Sequence, residues 1–357
     1  MTSFVRNAWY VAAWSREIDA ELRRFTILGE HVVIFRRRDG GISALEDRCP
    51  HRHLPLSMGK RIGDDVQCGY HGLTFDGITG QCTRVPGQTN LPAAACVTAY
   101  EVEERHDIVW IWMGDPGRAD RGAIFDMPEL SDPNWAVHQG DALHLDANYL
   151  NVAENLVDPA HVSFVHPTTL GNSASENVPV HVRTDGEAIV AWRWIRDAEP
   201  VGFFKAFGGF DGNVDRWHYY YLHTPCTAVI DFGSAPTEDA IGEDERDRGV
   251  RIFALHFMTP ITEGQTVDRW MHVRNTAQDD PEAAERMDVL LRKAFAEDKA
   301  ILEAVEKEEA RPSKRRPIRL AIDKGPLVYR KRIAQMIEME RHEDLAADPS
   351  PAFVYHD

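Results

Sequence analysis

Cysteine is scarce here, with five in 357 residues. Two of them fall in a motif described below. The remaining three, Cys82, Cys96 and Cys226, do not build a disulfide framework, and free thiols suit a reducing cytoplasm. Basic charge is also short: 40 Lys and Arg against 57 Asp and Glu leave a net charge of −17 and a pI near 5.4. That argues against a nucleic-acid binder, which needs a basic footprint, and disfavours anionic membranes. No uncharged run approaches the length of a membrane span. Met1-Thr-Ser-Phe-Val-Arg-Asn has no apolar core behind a basic stretch, so no secretion signal is read there. A soluble, cytoplasmic protein is expected. There is no internal repeat, no low-complexity tract and no flavin or nicotinamide fingerprint. Gly202-Phe-Phe-Lys-Ala-Phe-Gly-Gly-Phe-Asp-Gly is glycine-rich but lacks the G-x-x-x-x-G-K-[ST] order of a phosphate cradle. It reads as an aromatic loop near a pocket mouth or as plain packing. The hydrophobic share is 43%, enough for real cores, and the length allows two domains.

The strongest motif is Cys49-Pro-His51, sixteen residues, then Cys68-Gly-Tyr-His71. Two thiolates and two imidazoles on paired short loops suit a [2Fe–2S] cluster with Cys on one iron and His on the other, the Rieske arrangement. The four residues alone also fit a structural zinc site. Their flanks favour the cluster. Arg48 and Arg52 bracket the first pair, and Gly69 and Gly72 flank the second, letting backbone N–H groups approach sulfur and tune the potential.

A second motif is Asn155-Leu-Val-Asp158-Pro-Ala-His161-Val-Ser-Phe-Val-His166. Two His near an Asp point to part of a 2-His-1-carboxylate triad for ferrous iron, which leaves positions open for O2 and substrate. On an ideal helix, residues five apart point about 140° away from each other. The pair converges only if the helix ends, bends or widens between them, and Pro159 supplies an irregularity. The plain alternative is two core histidines. Asp158 is open to three roles: ligand, helix cap, or acceptor of a metal-bound His N–H.

Short strand-like runs fill residues 1–135, including His31–Phe35 and Val109–Met113, with turn signals at Asp39-Gly-Gly, Asp76-Gly and Asp115-Pro-Gly. This is a small antiparallel β domain carrying the cluster loops. Residues 136–357 form a second domain. Runs at Val178–Arg183, Ala188–Ile195, Trp217–Leu222, Thr227–Phe232, Arg251–Met258 and Val267–Arg274 read as strands. A long helix over Pro281–Ala310 and an amphipathic one near Val328–Glu340 follow. The fold class is α+β. No inward-facing Arg is evident on these runs, so recognition of an acid group has no obvious partner. Arg311-Pro-Ser-Lys314-Arg315-Arg316 reads as a solvated loop or a contact with an acidic partner or neighbouring subunit. Arg48, Arg52, Lys60 and Arg61 are placed to steer an acidic ferredoxin.

With both metal motifs in one chain, the sequence resembles the oxygenase component of Rieske non-haem iron oxygenases, most closely the vanillate O-demethylase and dicamba monooxygenase group. The resemblance runs from Asn7-Ala-Trp-Tyr-Val past Glu297-Asp298-Lys299. It implies a helix-grip catalytic domain, a curved antiparallel sheet around a long helix. It implies a third iron ligand on that helix, at Asp298. The pattern supports the position independently: Leu291, Phe295, Asp298 and Leu302 share a helix face, and an Asp in an apolar stripe is costly unless paired or metal-bound. Glu297 is the rival ligand, and a surface Asp is the plain alternative. The resemblance also implies a head-to-tail homotrimer in which Asp158 bridges cluster ligand His71 of one chain to iron ligand His161 of the next. It places Asn155 near the iron and His256 on the substrate, the plain alternative for His256 being a satisfied core histidine. The implied cofactors are a Rieske [2Fe–2S] cluster and mononuclear Fe(II), with NADH used indirectly through a separate reductase, with or without a ferredoxin. The implied activity is monooxygenation of a methyl group on a small aromatic, foremost O-demethylation of a methoxyarene. N-dealkylation, or hydroxylation of an aryl sulfonate or chlorinated herbicide, is the alternative. A Rieske electron carrier or zinc module is the reading from another class, and it leaves His161, His166 and Asp298 without a role.

Overall fold

The computed structural model describes residues 3–347. The first two residues of the N-terminal stretch and the last ten of the 136–357 segment lie outside the described residues. The chain opens on β1 (Trp9–Trp14), β2 (Arg23–Ile27), β3 (Glu30–Arg36) and β4 (Ile42–Glu46). Four short strands follow: β5 (Lys60–Ile62), β6 (Asp65–Gln67), β7 (Thr74–Phe75) and β8 (Cys82–Arg84). β9 (Val102–Arg105) and β10 (Ile108–Trp112) complete this part. They make three antiparallel sheets, ordered β1-β10-β9, β2-β3-β4 and β5-β6-β7-β8. The cluster loops leave the end of β4 and the end of β6.

β11 (Ala136–Leu145) then begins a larger sheet. Two short helices carry the second motif, α1 (Tyr149–Asn155) and α2 (Val162–Val165). β12 (His181–Asp185) and β13 (Ala188–Ala198) precede a third, α3 (Gly202–Phe207). β14 (Val214–His223), β15 (Thr227–Pro236), β16 (Val250–Thr262) and β17 (Gln265–Arg274) form a meander. The sheet order is β11-β17-β16-β15-β14-β13-β12, with every pairing antiparallel. α4 (Pro281–Glu309) and α5 (Lys324–Ala347) follow. The glycine-rich aromatic segment therefore begins as a short helix, α3, and is a loop only from Gly208 onward. No helix among the described residues is long and apolar enough to cross a membrane.

The β16 strand reads almost continuously apolar because both of its faces are covered. Ile252, Ala254 and Met258 join the core under α4. Phe253, Leu255 and Phe257 pack outward with Trp9, Trp14, Trp110 and Trp112 of the first domain. The Phe257 ring meets Trp110 edge-on at 5.4 Å.

α4 starts where the sequence marks it. The Asp280 carboxylate accepts from the backbone N–H of Glu282 and Ala283, satisfying donors that a helix start leaves open. Its buried stripe runs Ala283, Met287, Leu291, Ala294, Phe295, Leu302. One polar residue interrupts it early. Buried Asp288 accepts from His138 Nε2 on β11 and from His272 Nε2 on β17, each at 3.1 Å. His138 and His272 are directly paired across the two strands, so one carboxylate pins the helix to both.

Candidate metal centres and substrate cavity

The two cluster loops close the same way. Cys49 N–H donates to Leu54 O and Cys68 N–H to Leu73 O, while His53 N–H and Gly72 N–H donate back to Cys49 O and Cys68 O. The fourth residue after each Cys is left-handed, His53 at φ 60° and Gly72 at φ 71°. Glycine takes that conformation freely; His53 does so at a cost. Its ring is held by Arg48, with Nη2 to Nδ1 at 3.0 Å. Cys49 and Cys68 are buried and free. His51 and His71 are exposed, their ring centroids 4.5 Å apart. Two buried sulfurs facing two outward imidazoles are a donor set that fits a Rieske cluster. Arg61 is occupied locally, donating to Arg36 O, Gly63 O and Asp64, while Arg48, Arg52 and Lys60 are exposed.

The i, i+5 histidines solve their facing problem by flanking one helical turn. α2 spans four residues, with His161 just before it and His166 just after, where φ and ψ leave the helical region. Both rings then turn toward α4. His166 Nε2 lies 3.2 Å and His161 Nε2 3.6 Å from the same oxygen, Asp298 Oδ1. At 3.6 Å the second pair is beyond a good hydrogen bond, and three donor atoms converging on one point is the spacing of ligands around an ion. His161, His166 and Asp298 could therefore hold a metal, as two His and one carboxylate suit ferrous iron. Asn155 donates from Nδ2 to Asp298 Oδ1 at 3.1 Å. Glu297 is not in this group. Its Oε2 meets His166 Nδ1 at 2.8 Å, on the far side of the ring, the position of a carboxylate that orients a metal-binding imidazole.

Asp158 Oδ1 accepts from Ala160 N–H, and Oδ2 lies 3.9 Å from His161 Nδ1. That Nδ1 is buried and has no hydrogen-bond partner. Burial raises the Asp158 pKa. Burial acts the same way on Asp298, but the histidines and Asn155 outweigh it and hold that carboxyl low. Burial alone would lower His166; Asp298 and Glu297 reverse the shift. His161, more deeply enclosed, is lowered by burial.

The triad lines a cavity with walls from Leu170, Phe204, Ile230, Phe232, Leu291 and Phe295. Its polar lining includes His218, Tyr220 and His256. His256 is buried, bonds Asp268 Oδ2 through Nδ1 at 2.7 Å, and leaves Nε2 without a partner. The free space is about 40 Å³, against the ~150 Å³ of a cavity that takes benzene, so a ring enters only as wall side chains move. Two buried arginines, Arg193 on β13 and Arg216 on β14, lie beneath the ligand segment, where the strand pattern had shown no inward Arg. The signal was present: Arg193 shares strand parity with the buried Ile189, Ala191 and Ile195.

A family model of the Rieske [2Fe–2S] domain matches residues 8–100, and one of the vanillate O-demethylase oxygenase C-terminal domain matches residues 145–339. The iron-sulfur subunit of the toluene-4-sulfonate monooxygenase system of Comamonas testosteroni is 38% identical over 327 residues, 90% of this chain and 94% of that one. The oxygenase component of dicamba O-demethylase from Stenotrophomonas maltophilia is 34% identical over 347 residues, 95% of this chain and 99% of that one. The crystal structure of dicamba monooxygenase bound to 3,6-dichlorosalicylic acid superposes with a TM-score of 0.85 at 33% identity, covering 95% of this chain and 99% of that chain. Two family models in this order, and relatives alike over nine-tenths of the length, make this chain a Rieske non-haem iron oxygenase, the terminal oxygenase component of a monooxygenase of the vanillate O-demethylase group.

Proposed function

We propose that the protein hydroxylates a methyl carbon on a small aromatic substrate, and that the reaction is O-demethylation of a methoxyarene with release of formaldehyde. The cavity carries this reading: a 2-His-1-carboxylate group lines a space walled by Phe204, Phe232 and Phe295. The similarity to dicamba O-demethylase supports it. His161, His166 and Asp298 hold the iron, and Cys49, His51, Cys68 and His71 hold the cluster. Bound iron, supplied with electrons by the cluster, provides the activation of O2. One oxygen atom enters a methyl C–H bond and the other leaves as water, consuming two electrons and two protons. The hemiacetal then breaks its O–CH2 bond to give phenol and formaldehyde. The electrons come from NADH through a separate reductase, with or without a ferredoxin.

The chain's own residues orient and exclude. Glu297 accepts a hydrogen bond from His166 Nδ1–H and sets the ring, Asn155 holds Asp298, and the apolar walls keep water from the reacting carbon. His256, buried with a free Nε2, contacts the substrate. The domain boundary falls at 135/136, where β11 joins the large sheet. The working unit is a head-to-tail homotrimer, in which Asp158 links the cluster of one chain to the iron of the next. Exposed His51 and His71 support this, as does a surface groove beside Asn155 and Asp158 lined by Ile318, Arg319 and Leu327, with Ile318 80% exposed. Asp158→Asn should keep both metals and slow electron passage between them; unchanged single-turnover kinetics would remove the bridge.

The 38% identity to the toluene-4-sulfonate monooxygenase subunit favours a second reading, hydroxylation of a ring methyl group on an aryl sulfonate. Formaldehyde release separates the two. The metal-loaded protein with a surrogate reductase, NADH and O2 is given methoxybenzoates and methylated aryl sulfonates. Formaldehyde matched by phenol is expected. Oxidation of the sulfonate methyl group without aldehyde from any methoxyarene would transfer the assignment to the second reading.

A further inference from the structure

We propose that His218, backed by Arg193 and Arg216, anchors the acid group of an anionic aromatic substrate. The proposal rests on the cavity being the substrate site. His218 lines that cavity and sits directly opposite Arg193 in the β13–β14 pairing. Arg193 Nε donates to His218 Nδ1 at 3.3 Å. A guanidinium has no acceptor, so Nδ1 must carry the lone pair and Nε2 the proton. Burial first, then both arginines, hold the His218 pKa well below its ordinary value, and the ring stays neutral. His218 is therefore a permanent N–H donor, and no described residue accepts from its Nε2. The cavity wall offers a group that only a hydrogen-bond acceptor can satisfy.

Charge then selects among acceptors. Arg193 and Arg216 are each 1% exposed, and neither has a carboxylate within salt-bridge reach among the described residues. Arg193 spends its other N–H groups on backbone carbonyls, at Ser175 and Pro159. Those two residues bracket the segment that carries His161 and His166. Arg216 lies two residues before His218 on the same strand face. It donates from Nη2 to Asn172 Oδ1 at 2.8 Å, while its Nε and Nη1 are buried with no partner. Burial pushes its pKa down to about 10, which leaves it cationic at neutral pH. Asp158 acts on Arg193 only from beyond salt-bridge distance, and no carboxylate acts on Arg216. Two buried cations so poorly balanced are costly, and a carboxylate or sulfonate at His218 relieves that cost.

The test is equilibrium binding to the metal-loaded enzyme by titration calorimetry. The probes are benzoate and benzenesulfonate, each against its neutral isostere, benzamide and benzenesulfonamide. Each anion should bind about tenfold or more tighter than its amide, the difference a charged hydrogen-bond partner makes. The tighter of the two anions identifies the acid group. His218→Leu should bring the ratio to near one, and His218→Gln, which keeps an N–H at similar reach, should retain it. Arg216→Gln should cut the ratio severalfold, and Arg216→Lys should restore it. Variants are compared at full cluster absorbance and iron content. Equal affinity for acid and amide in the native enzyme would overturn the proposal, as would an undiminished ratio in His218→Leu. No turnover is read, so failure of O-demethylation leaves the anion site standing. Formaldehyde release without anion preference removes the anion site alone.

Discussion

Asp298 and Glu297 are neighbours on α4 with different work, and about 100° of helix rotation separates their directions. Asp298 sits in the apolar stripe and meets both histidines; Glu297 reaches only the outer nitrogen of His166. Removing the first should empty the centre. Asp298→Ala is expected to lose mononuclear iron and turnover while the visible spectrum of the cluster is unchanged, as read by iron content and absorbance; surviving turnover would refute the ligand assignment. Glu297→Gln should act more mildly. It keeps a hydrogen-bond acceptor but removes the charge that fixes the imidazole, and iron should be held about 10–100-fold more weakly. An unchanged iron dissociation constant in competition with a chelator would show that Glu297 is only a packing partner. The preference for Asp298 was legible from helical periodicity, since Leu291, Phe295 and Leu302 share its face. The task of Glu297 was not, because it depends on where His166 arrives from 131 positions away.

Elements deliver these residues, and α4 is held by more than its apolar stripe. The Asp288 brace to His138 and His272 is buried, and Arg292 adds a third contact from Nη2 at 3.2 Å. Asp288→Ala leaves those donors without their acceptor and should cost about 2–4 kcal/mol. The drop would be seen as a lower urea midpoint at unchanged slope; a midpoint within error of the native protein would mean the apolar stripe alone holds the helix. The ligand segment shows the opposite economy. A single turn, α2, is enough because it needs only to set His161 and His166 at its two ends. The sequence spacing already required a break in the helix between them, and the break is the helix ending. The cluster loops were legible for the same reason: Cys49 to Leu54 and Cys68 to Leu73 are local turns, closed by bonds between residues five apart. Short-range geometry follows from short-range spacing.

Across the whole molecule, the central strands β14–β17 of the large sheet are buried on both faces, and this sets its response to acid. His218, His223 and His272 are all held below their ordinary pKa, burial being the first cause in each. The unfolded chain, with His at about 6.5, takes up protons before the folded one as pH falls. The stability these residues contribute is therefore full above about pH 6.5 and is lost as pH drops toward their folded values. The melting temperature of the metal-loaded protein should fall between about pH 7 and pH 5, each group contributing up to about 1.4 kcal/mol per pH unit. His272→Gln should flatten that slope. A melting temperature constant across the window would show that these rings titrate alike in both states.

By itself the sequence determined what neighbours along the chain can decide. It placed the four candidate cluster ligands on two matched turns, the two candidate iron histidines around a helix break, Asp298 in the apolar stripe of the long helix, and the run of strands between. Backbone geometry fixes these within a few residues, so spacing and periodicity carry them. Only the tertiary structure decided what meets across long separations. Asp298 comes to His161 from another element, Glu297 to the outer side of His166, Asp288 to a cross-strand histidine pair, and Arg193 and Arg216 to the inner face of the sheet. Strand register and helix docking set those meetings, and they depend on how the whole core packs rather than on any local pattern.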